Sequence, residues 1–188
     1  MKKIVLGFIL AIILPISHAQ DSTTMDWSGV YVTGGASAVV SGETNESQDF
    51  LPLQKKVVGI LGIGYNHQIN HIVIGTELTH TLGEMNEKTF ANDFYLDSLY
   101  DIKAKLGYAQ GNYLAYVTAG RSLGKFNEDM LTTPLTYTVR GNNFGMGIDY
   151  AVNSNFIIGL EYVYRDMGKA YNNDFYISNA NVKIAYKF

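Results

Sequence analysis

The last ten residues of the chain alternate between two kinds of side chain. One set is apolar and partly aromatic: Ala180, Val182, Ile184, Tyr186 and Phe188. The residues between them are mostly polar: Asn179, Asn181, Lys183, Ala185 and Lys187. A period of two is that of a β-strand with one face in an apolar environment. The chain is therefore expected to build a sheet in which this strand, taken from Tyr176 to Phe188, needs neighbours.

Seven further segments show the same alternation, with bulky apolar side chains on one face and glycine, polar or charged side chains on the other. They are Val30–Val40, Val57–Asn66, Ile72–Leu82, Phe94–Tyr108, Tyr113–Phe126, Tyr137–Tyr150 and Phe156–Gly168. With 14 Tyr, 9 Phe and only 3 Pro, the composition also favours strands. We predict an all-β fold, an eight-stranded antiparallel up-and-down β-barrel.

The connections between these segments alternate in length. Three are short, at 67–71, 110–112 and 152–155, and four are longer and polar, at 41–56, 83–93, 127–136 and 169–174. Short turns at one end and long loops at the other are typical of a barrel that crosses an outer membrane. The turns are then expected on the periplasmic side and the loops outside.

A repeated tyrosine supports the membrane interpretation. The second, fourth, sixth and eighth predicted strands each carry a tyrosine on the apolar face, close to the short turn or to the chain end. These are Tyr65, Tyr108, Tyr150 and Tyr186. A ring of aromatic residues is expected where an apolar band meets lipid headgroups. Trp27, Tyr113 and Phe156 are expected to join this periplasmic girdle. The alternative is a soluble lipocalin-like barrel, but there the apolar residues would face inward and the charges would face water.

The first nineteen residues have the pattern of a secretory signal peptide. Lys2 and Lys3 precede the apolar run Ile4–Ile16, and the small residues Ser17 and Ala19 stand at positions suited to cleavage before Gln20. The run is short for a transmembrane helix, which needs about 20 apolar residues. We expect a signal peptide at 1–19 and a barrel domain at 20–188.

Several runs resemble the opacity-type, OmpA-like family of outer-membrane barrels. They are Trp27–Val32, Gly64–Asn66, Lys103–Ala109, Tyr116–Gly120, Phe144–Ala151, Leu160–Gly168 and Tyr186–Phe188. The resemblance implies an eight-stranded barrel in a Gram-negative outer membrane, among members that are structural proteins, adhesins and surface antigens. The expected partners are outer-membrane lipid and lipopolysaccharide, the barrel-assembly machinery, and host surface molecules that contact the long loops. Ile184, Tyr186 and Phe188 resemble the C-terminal signal that this machinery reads.

Eight charged residues fall on the faces predicted to point into the barrel. They are Glu77, Asp101, Lys103, Lys105, Asp149, Glu161, Arg165 and Lys183. They could form the selectivity lining of a narrow pore for small solutes. We instead expect a network of ion pairs, because an eight-stranded bore is only wide enough for side chains and buried charges must be paired.

Other chemistries find little support. The chain has no cysteine, which argues against thiolate chemistry. Its formal charge is −3 and its sequence has no basic cluster, which argues against nucleic-acid binding. His67 and His71 lie across a predicted turn, so no metal site is expected. A lipid A-modifying enzyme would need a serine beside His80, and Ser98 on the next strand is the candidate. We expect no cofactor and no catalytic residues.

One charge stands on the otherwise apolar outer face. Arg121 is expected near the outer interface, where its guanidinium could contact lipopolysaccharide phosphates; the alternative is a bulge that turns it inward. Together these observations predict a non-enzymatic outer-membrane barrel with an envelope-structural or surface-exposed, adhesin- or antigen-like role.

Overall fold

The computed structural model describes the backbone of residues 25–44, 57–83, 85–88, 93–129, 134–170 and 173–188. Side chains are described for residues 25–40, 57–83, 98–125, 138–168 and 176–188. The predicted signal peptide lies outside these residues, as do 45–56 and the tips of the other predicted long loops.

Nine strand segments make one antiparallel sheet. They are β1 (Gly29–Thr44), β2 (Val57–Ile69), β3 (Ile72–Leu82), β4 (Met85–Lys88), β5 (Asp93–Gln110), β6 (Tyr113–Asp129), β7 (Pro134–Ala151), β8 (Phe156–Ala170) and β9 (Asn173–Lys187). Strands that follow one another in sequence are paired, except β3 and β4: β3 pairs with β5 directly, and β4 pairs with the outer part of β5. In the described residues no helix is long and apolar enough to span a membrane.

The pairing of β1 with β9 closes the sheet. Its register runs from Tyr31 opposite Lys187 to Thr44 opposite Phe175, with one irregularity between Val39 and Ser41. Closure leaves eight strands around the ring, and each of these has a paired strand on both sides, as a sheet in lipid requires because no water is present to bond the backbone. The predicted fold class is confirmed.

The strands reach further than the alternation predicted. β2 continues through His67 to Ile69, so the first turn is only Asn70 and His71, and Asn70 adopts a left-handed φ of 55°. β4 occupies part of the predicted loop 83–93, after Gly83 at a φ of 102°. β6, β7, β8 and β9 likewise extend into segments predicted as loops. The loop boundaries from the sequence were therefore wrong. The connections 130–133 and 171–172 are no longer than the turn 152–155, because the strands on either side of them continue into the predicted loops.

The two faces of the sheet differ as predicted. The outer face is a belt of exposed aliphatic and aromatic side chains, for example Ile63 on β2, Leu106 on β5 and Phe144 on β7. The inner face buries threonine, asparagine and charged side chains. This is the reverse of a soluble ligand-binding barrel, whose outer face would meet water. Trp27 is a correction: it is 1% exposed and lies inside the barrel mouth, so it does not belong to the outer girdle.

Two glycines make room for buried tyrosines. A Cβ on Gly64 would meet the ring of Tyr31, and a Cβ on Gly147 would lie 2.5 Å from the ring and hydroxyl of Tyr116. By contrast, a Cβ on Gly34 would have an ordinary contact with Leu61 at 3.6 Å. The bore is thus filled by tyrosines that take the space glycines leave on neighbouring strands.

Because the space beside Gly147 is filled and that beside Gly34 is not, we expect alanine at these two positions to change the stability of the barrel unequally. Gly147→Ala should lower the free energy of unfolding by about 1–3 kcal/mol, because an overpacked interior must shift Tyr116. Gly34→Ala, the matched control, should change it by less than about 0.5 kcal/mol. Urea unfolding from lipid vesicles, followed by Trp27 fluorescence, measures both. Equal midpoints would show that Tyr116 does not fill the space beside Gly147.

Candidate functional site

The interior is arranged in layers along the barrel axis. On β5, the inward residues from the periplasmic turn outward are Ala109, Gly107, Lys105, Lys103, Asp101 and Leu99. An apolar residue therefore stands at each end and three charges stand between. β8 has a similar order, with Ile157 and Met167 at the two ends and Glu161 and Arg165 between them. Among the described residues, the buried charges lie in the middle of the bore except Lys187 at the periplasmic end.

Two lysines and two glutamates form the centre of this layer. The Lys103 ammonium lies 2.7 Å from Glu77 and 2.8 Å from Glu161. The Lys183 ammonium bridges the same two carboxylates, at 3.5 Å from Glu77 and 3.3 Å from Glu161. All four side chains are almost fully buried. Each charge has two opposite charges, an arrangement that offsets the cost of removing it from water.

Lys105 lies on the periplasmic side of this centre, between two tyrosines. Its ammonium is 4.4 Å from the ring centroid of Tyr116 and 5.0 Å from that of Tyr31. It donates a hydrogen bond to the Tyr31 hydroxyl at 3.1 Å, and that hydroxyl donates to Glu77 at 2.9 Å. Asp149 lies 3.8 Å from the ammonium. Glu77 is a second carboxylate, 4.0 Å away, and the aromatic faces stabilise the cation further.

Arg165 and Asp101 form the outer part of the layer. The guanidinium holds the carboxylate with two bonds, Nη2 to Oδ2 at 2.6 Å and Nε to Oδ1 at 3.0 Å. A third donor of Arg165 bonds Asn179 at 2.6 Å, and Ser122 donates to Asp101 at 2.6 Å. The two parallel bonds make this a strong pair with a defined geometry.

The structure places all eight charges predicted for the interior on the inner face and joins each to an opposite charge. Four acids meet four bases, so the layer is neutral in formal charge. Tyr31 and Tyr116 also take part in this layer, and the sequence analysis did not include them. The available signal was their position opposite Gly64 and Gly147 on paired strands.

Apolar clusters close the bore on both sides of the charged layer. The periplasmic cluster contains Met25, Trp27, Tyr31, Val73, Ala109, Leu114, Tyr116, Ala151, Ile157 and Ala185. The outer cluster contains Val39, Val58, Leu99, Met167 and Ile177, with Val139 packed against it. A hydrated ion would have to cross both clusters as well as the ion pairs.

The segment before β1 fixes the periplasmic cluster in place. The backbone N–H of Trp27 donates to Gln68 Oε1 at 2.8 Å, and the Gln68 N–H donates to Ser28 Oγ at 3.0 Å. The Lys187 ammonium donates to the carbonyl of Asp26. The N–H of Ser28 donates to the Asp26 carboxylate, which lowers the pKa of that carboxyl. These bonds hold the Trp27 ring across the barrel mouth.

The predicted girdle residues point outward. Tyr65, Tyr108, Tyr150 and Tyr186 are exposed, as are Tyr113 and Phe156. Ring contacts join Tyr113 to Tyr150 at 4.9 Å and Phe156 to Tyr186 at 5.2 Å between centroids. Ile184 and Phe188 of the predicted assembly signal also face outward, and the Phe188 N–H donates to the Val30 carbonyl.

The residues considered for catalysis do not come together. His80 stacks on Tyr100 with centroids 4.3 Å apart, and among the described residues it has no hydrogen bond to Ser98. His71 stacks on Tyr108, whereas His67 lies in β2 rather than in a turn. Within the described ranges no group of three His, Asp or Glu side chains could hold a metal ion.

Arg121 is exposed on the outer face, as the register predicted, and no bulge turns it inward. Its guanidinium donates to Asn142 Oδ1 on β7. The expectation that it is the one outward charge was wrong: Lys125 and Arg140 are exposed on the same two strands, at positions of the same parity. Every second residue after Tyr113 and before Tyr150 faces outward, and these two series include Lys125 and Arg140.

Comparison with known proteins agrees with this geometry. The model of the family described as outer membrane protein beta-barrel domain matches residues 6–188. The 31 kDa outer-membrane immunogenic protein of Brucella melitensis is 30% identical over 158 residues. That match covers 70% of this chain and 66% of the relative, just under two thirds of its length.

Two solved outer-membrane barrels share the fold. The attachment invasion locus protein, Ail, of Yersinia pestis has a TM-score of 0.61 at 15% identity, covering 86% of this chain and 99% of Ail. A further structure shows Ail in complex with the heparin analogue sucrose octasulfate. Neisserial surface protein A has a TM-score of 0.57 at 23% identity, covering 86% of this chain and 98% of that protein.

The ion-pair geometry predicts that a second substitution rescues a first. Glu161→Gln should destabilise the barrel by roughly 3–5 kcal/mol, because it leaves Lys103 and Lys183 with too few carboxylates. Adding Lys183→Met restores neutrality and should recover about 0.5–3 kcal/mol. Urea unfolding from vesicles measures the recovery.

The matched control adds Lys125→Met to Glu161→Gln, which gives the same net charge but changes an outward side chain. It should recover nothing. If the two double variants unfold at the same urea concentration, the rescue reflects overall charge and the network described above is not what stabilises the barrel.

Proposed function

Because the chain belongs to the family of outer membrane protein beta-barrel domains, we propose that it acts as a closed, non-enzymatic scaffold of the Gram-negative outer membrane. In this role the barrel reinforces the envelope and carries the long connections to the cell surface. The observation that supports it best is the interior, where two apolar clusters enclose a neutral layer of paired charges.

The competing function of a narrow solute pore needs a continuous water path. Lys103 and Glu161 meet at 2.8 Å across the bore, and Arg165 and Asp101 meet at 2.6 Å further out. An ion passing either pair would have to separate charges that are desolvated, which costs several kcal/mol for each ion. Observed conductance would favour the pore in spite of this barrier.

The competing function of a lipid A-modifying enzyme needs an activated nucleophile. A serine must lie within hydrogen-bond reach of its base, about 2.6–3.2 Å. His80 is instead stacked on Tyr100, and Ser98 has no hydrogen bond to it in the described part of the chain. We therefore assign no catalytic residue.

Surface display is the second part of the proposal. The strands continue past the apolar belt on the side of the long connections, which would hold the loop segments away from the lipid. The Brucella relative is named an immunogenic protein, and Ail has been solved with a heparin analogue. By analogy, host surface molecules are the class of partner proposed for the loops, and the outward edge of β9 with Phe188 is proposed as the contact for the assembly machinery.

The sealed interior predicts that the purified protein gives no channel. In planar bilayers it should produce no stable conductance steps, while a folded fraction is verified by its shifted migration on an unheated gel. A porin reconstituted in the same way serves as the positive control. Long-lived ohmic steps from the folded protein would contradict the scaffold role and support the pore.

The proposed orientation predicts opposite accessibility for two epitope insertions. A tag after Gln48, in the first long connection, should be bound by antibody on intact cells. A tag after Ser154, in the turn between β7 and β8, should be bound only after the outer membrane is permeabilised. The reverse pattern would overturn the assignment of the loops to the cell surface.

A further inference from the structure

The outward cations of the described strands are confined to one place. Arg121 and Lys125 lie on β6 and Arg140 lies on β7, and all three side chains are exposed. At the other described outward positions of the barrel strands there is no lysine or arginine. We call these three residues the β6–β7 basic cluster.

The strand register brings the three cations together. Arg140 is paired with Leu123, which stands between Arg121 and Lys125 on the outer face of β6. Diagonal neighbours in an antiparallel pair have Cα atoms about 7–8 Å apart, so Arg140 is close to both other cations. The bond from Arg121 Nη1 to Asn142 Oδ1 at 2.5 Å holds one edge of the guanidinium. Its remaining donors are available to a ligand.

The cluster lies at the outer boundary of the apolar belt. A strand tilted by about 40° rises about 2.6 Å per residue along the barrel axis. Arg121 and Lys125 are eight and twelve residues from Tyr113, and Arg140 is ten from Tyr150. Their heights above the girdle are then about 21, 31 and 26 Å, against an apolar band of about 25 Å.

Among the residues whose side chains are described, the cluster has no counter-charge of its own. None of the three cations forms an ion pair with a carboxylate that the structure describes. A described outward carboxylate on the next strand is that of Asp166, which lies opposite Asn142 on β8 and accepts the N–H of Gly168 at 3.0 Å. Three neighbouring cations beside lipid favour an anion, and arginine suits phosphate because its planar fork can bind two oxygens.

We propose that Arg121, Lys125 and Arg140 form a binding site for the phosphate groups of lipid A in the outer leaflet. The phosphates lie over the cluster, while the exposed side chains of Leu123, Phe144 and Ile102 contact the acyl chains. This site rests on the outer-membrane location alone and is independent of the scaffold role. It would bind one class of lipid at a fixed position on the barrel wall.

The test measures how lipid A changes the unfolding temperature of the purified barrel in detergent micelles. A ligand at free concentration L that binds the folded state stabilises it by RT ln(1 + L/Kd), so the rise in this temperature reports the affinity when the ligand concentration is fixed. Three variants are compared with the wild type: Arg121→Gln/Lys125→Gln/Arg140→Gln removes the charges, Arg121→Lys/Arg140→Lys keeps them, and His80→Gln changes an outward residue elsewhere. Bis-phosphorylated lipid A, chemically dephosphorylated lipid A and inorganic phosphate are the probes.

The proposal predicts that bis-phosphorylated lipid A stabilises the wild type and His80→Gln equally, and the lysine variant only slightly less. The glutamine variant should bind roughly 100-fold more weakly, since each cation near an anionic surface contributes about fivefold. Added salt should weaken wild-type binding. If the triple variant does not fold, Arg121→Gln alone should still show about a fivefold loss.

Three results would overturn the proposal. Equal binding of lipid A to the wild type and the folded glutamine variant would show that the cluster is not the site. Equal stabilisation by dephosphorylated lipid A would show that the acyl chains suffice. Equal stabilisation by inorganic phosphate at the same concentration would show a general anion site rather than a lipid site.

Discussion

The absence of water around the backbone is the constraint on which the rest of this structure depends. In lipid, every N–H and C=O must be bonded within the protein, so the sheet has to close, and β1 pairs with β9 to close it. Closure with eight strands leaves a bore only wide enough for side chains. The inner residues must therefore fill this space, which explains both the tyrosines seated against glycines and the ion pairs among the eight charges of the central layer.

The charged residues of the barrel wall fall into two groups with different surroundings. Those inside are paired with each other, and Arg165 and Asp101 share two hydrogen bonds. Those of the β6–β7 basic cluster face outward at the edge of the apolar belt without a carboxylate partner among the described residues. The first group stabilises a closed scaffold, which fits the proposed role of the protein in the envelope. The second group is suited to contact the lipid that surrounds it.

Much of this fold could be predicted because a strand in a membrane barrel separates two very different environments at every residue. A period of two then assigns each side chain to lipid or interior, and Lys103, Glu161 and Lys183 could be placed correctly from parity alone. Their partners could not, since pairs across the bore depend on the stagger of strands far apart in sequence. Trp27 was misplaced because it precedes β1 and has no strand period. The strand ends were missed because the outer segments leave the apolar belt and lose the alternation.

The central claim is that the charged layer is sealed from water, and proton exchange of its ammonium groups tests this most directly. In a ¹⁵N-lysine-labelled sample in lipid bilayers, the Lys103 and Lys183 ammonium protons should exchange with water far more slowly than those of exposed Lys125. Substitution of each lysine by methionine assigns the signals. If Lys103 and Lys183 exchange as fast as Lys125, water reaches the layer, the bore is open, and the account of a closed scaffold is wrong.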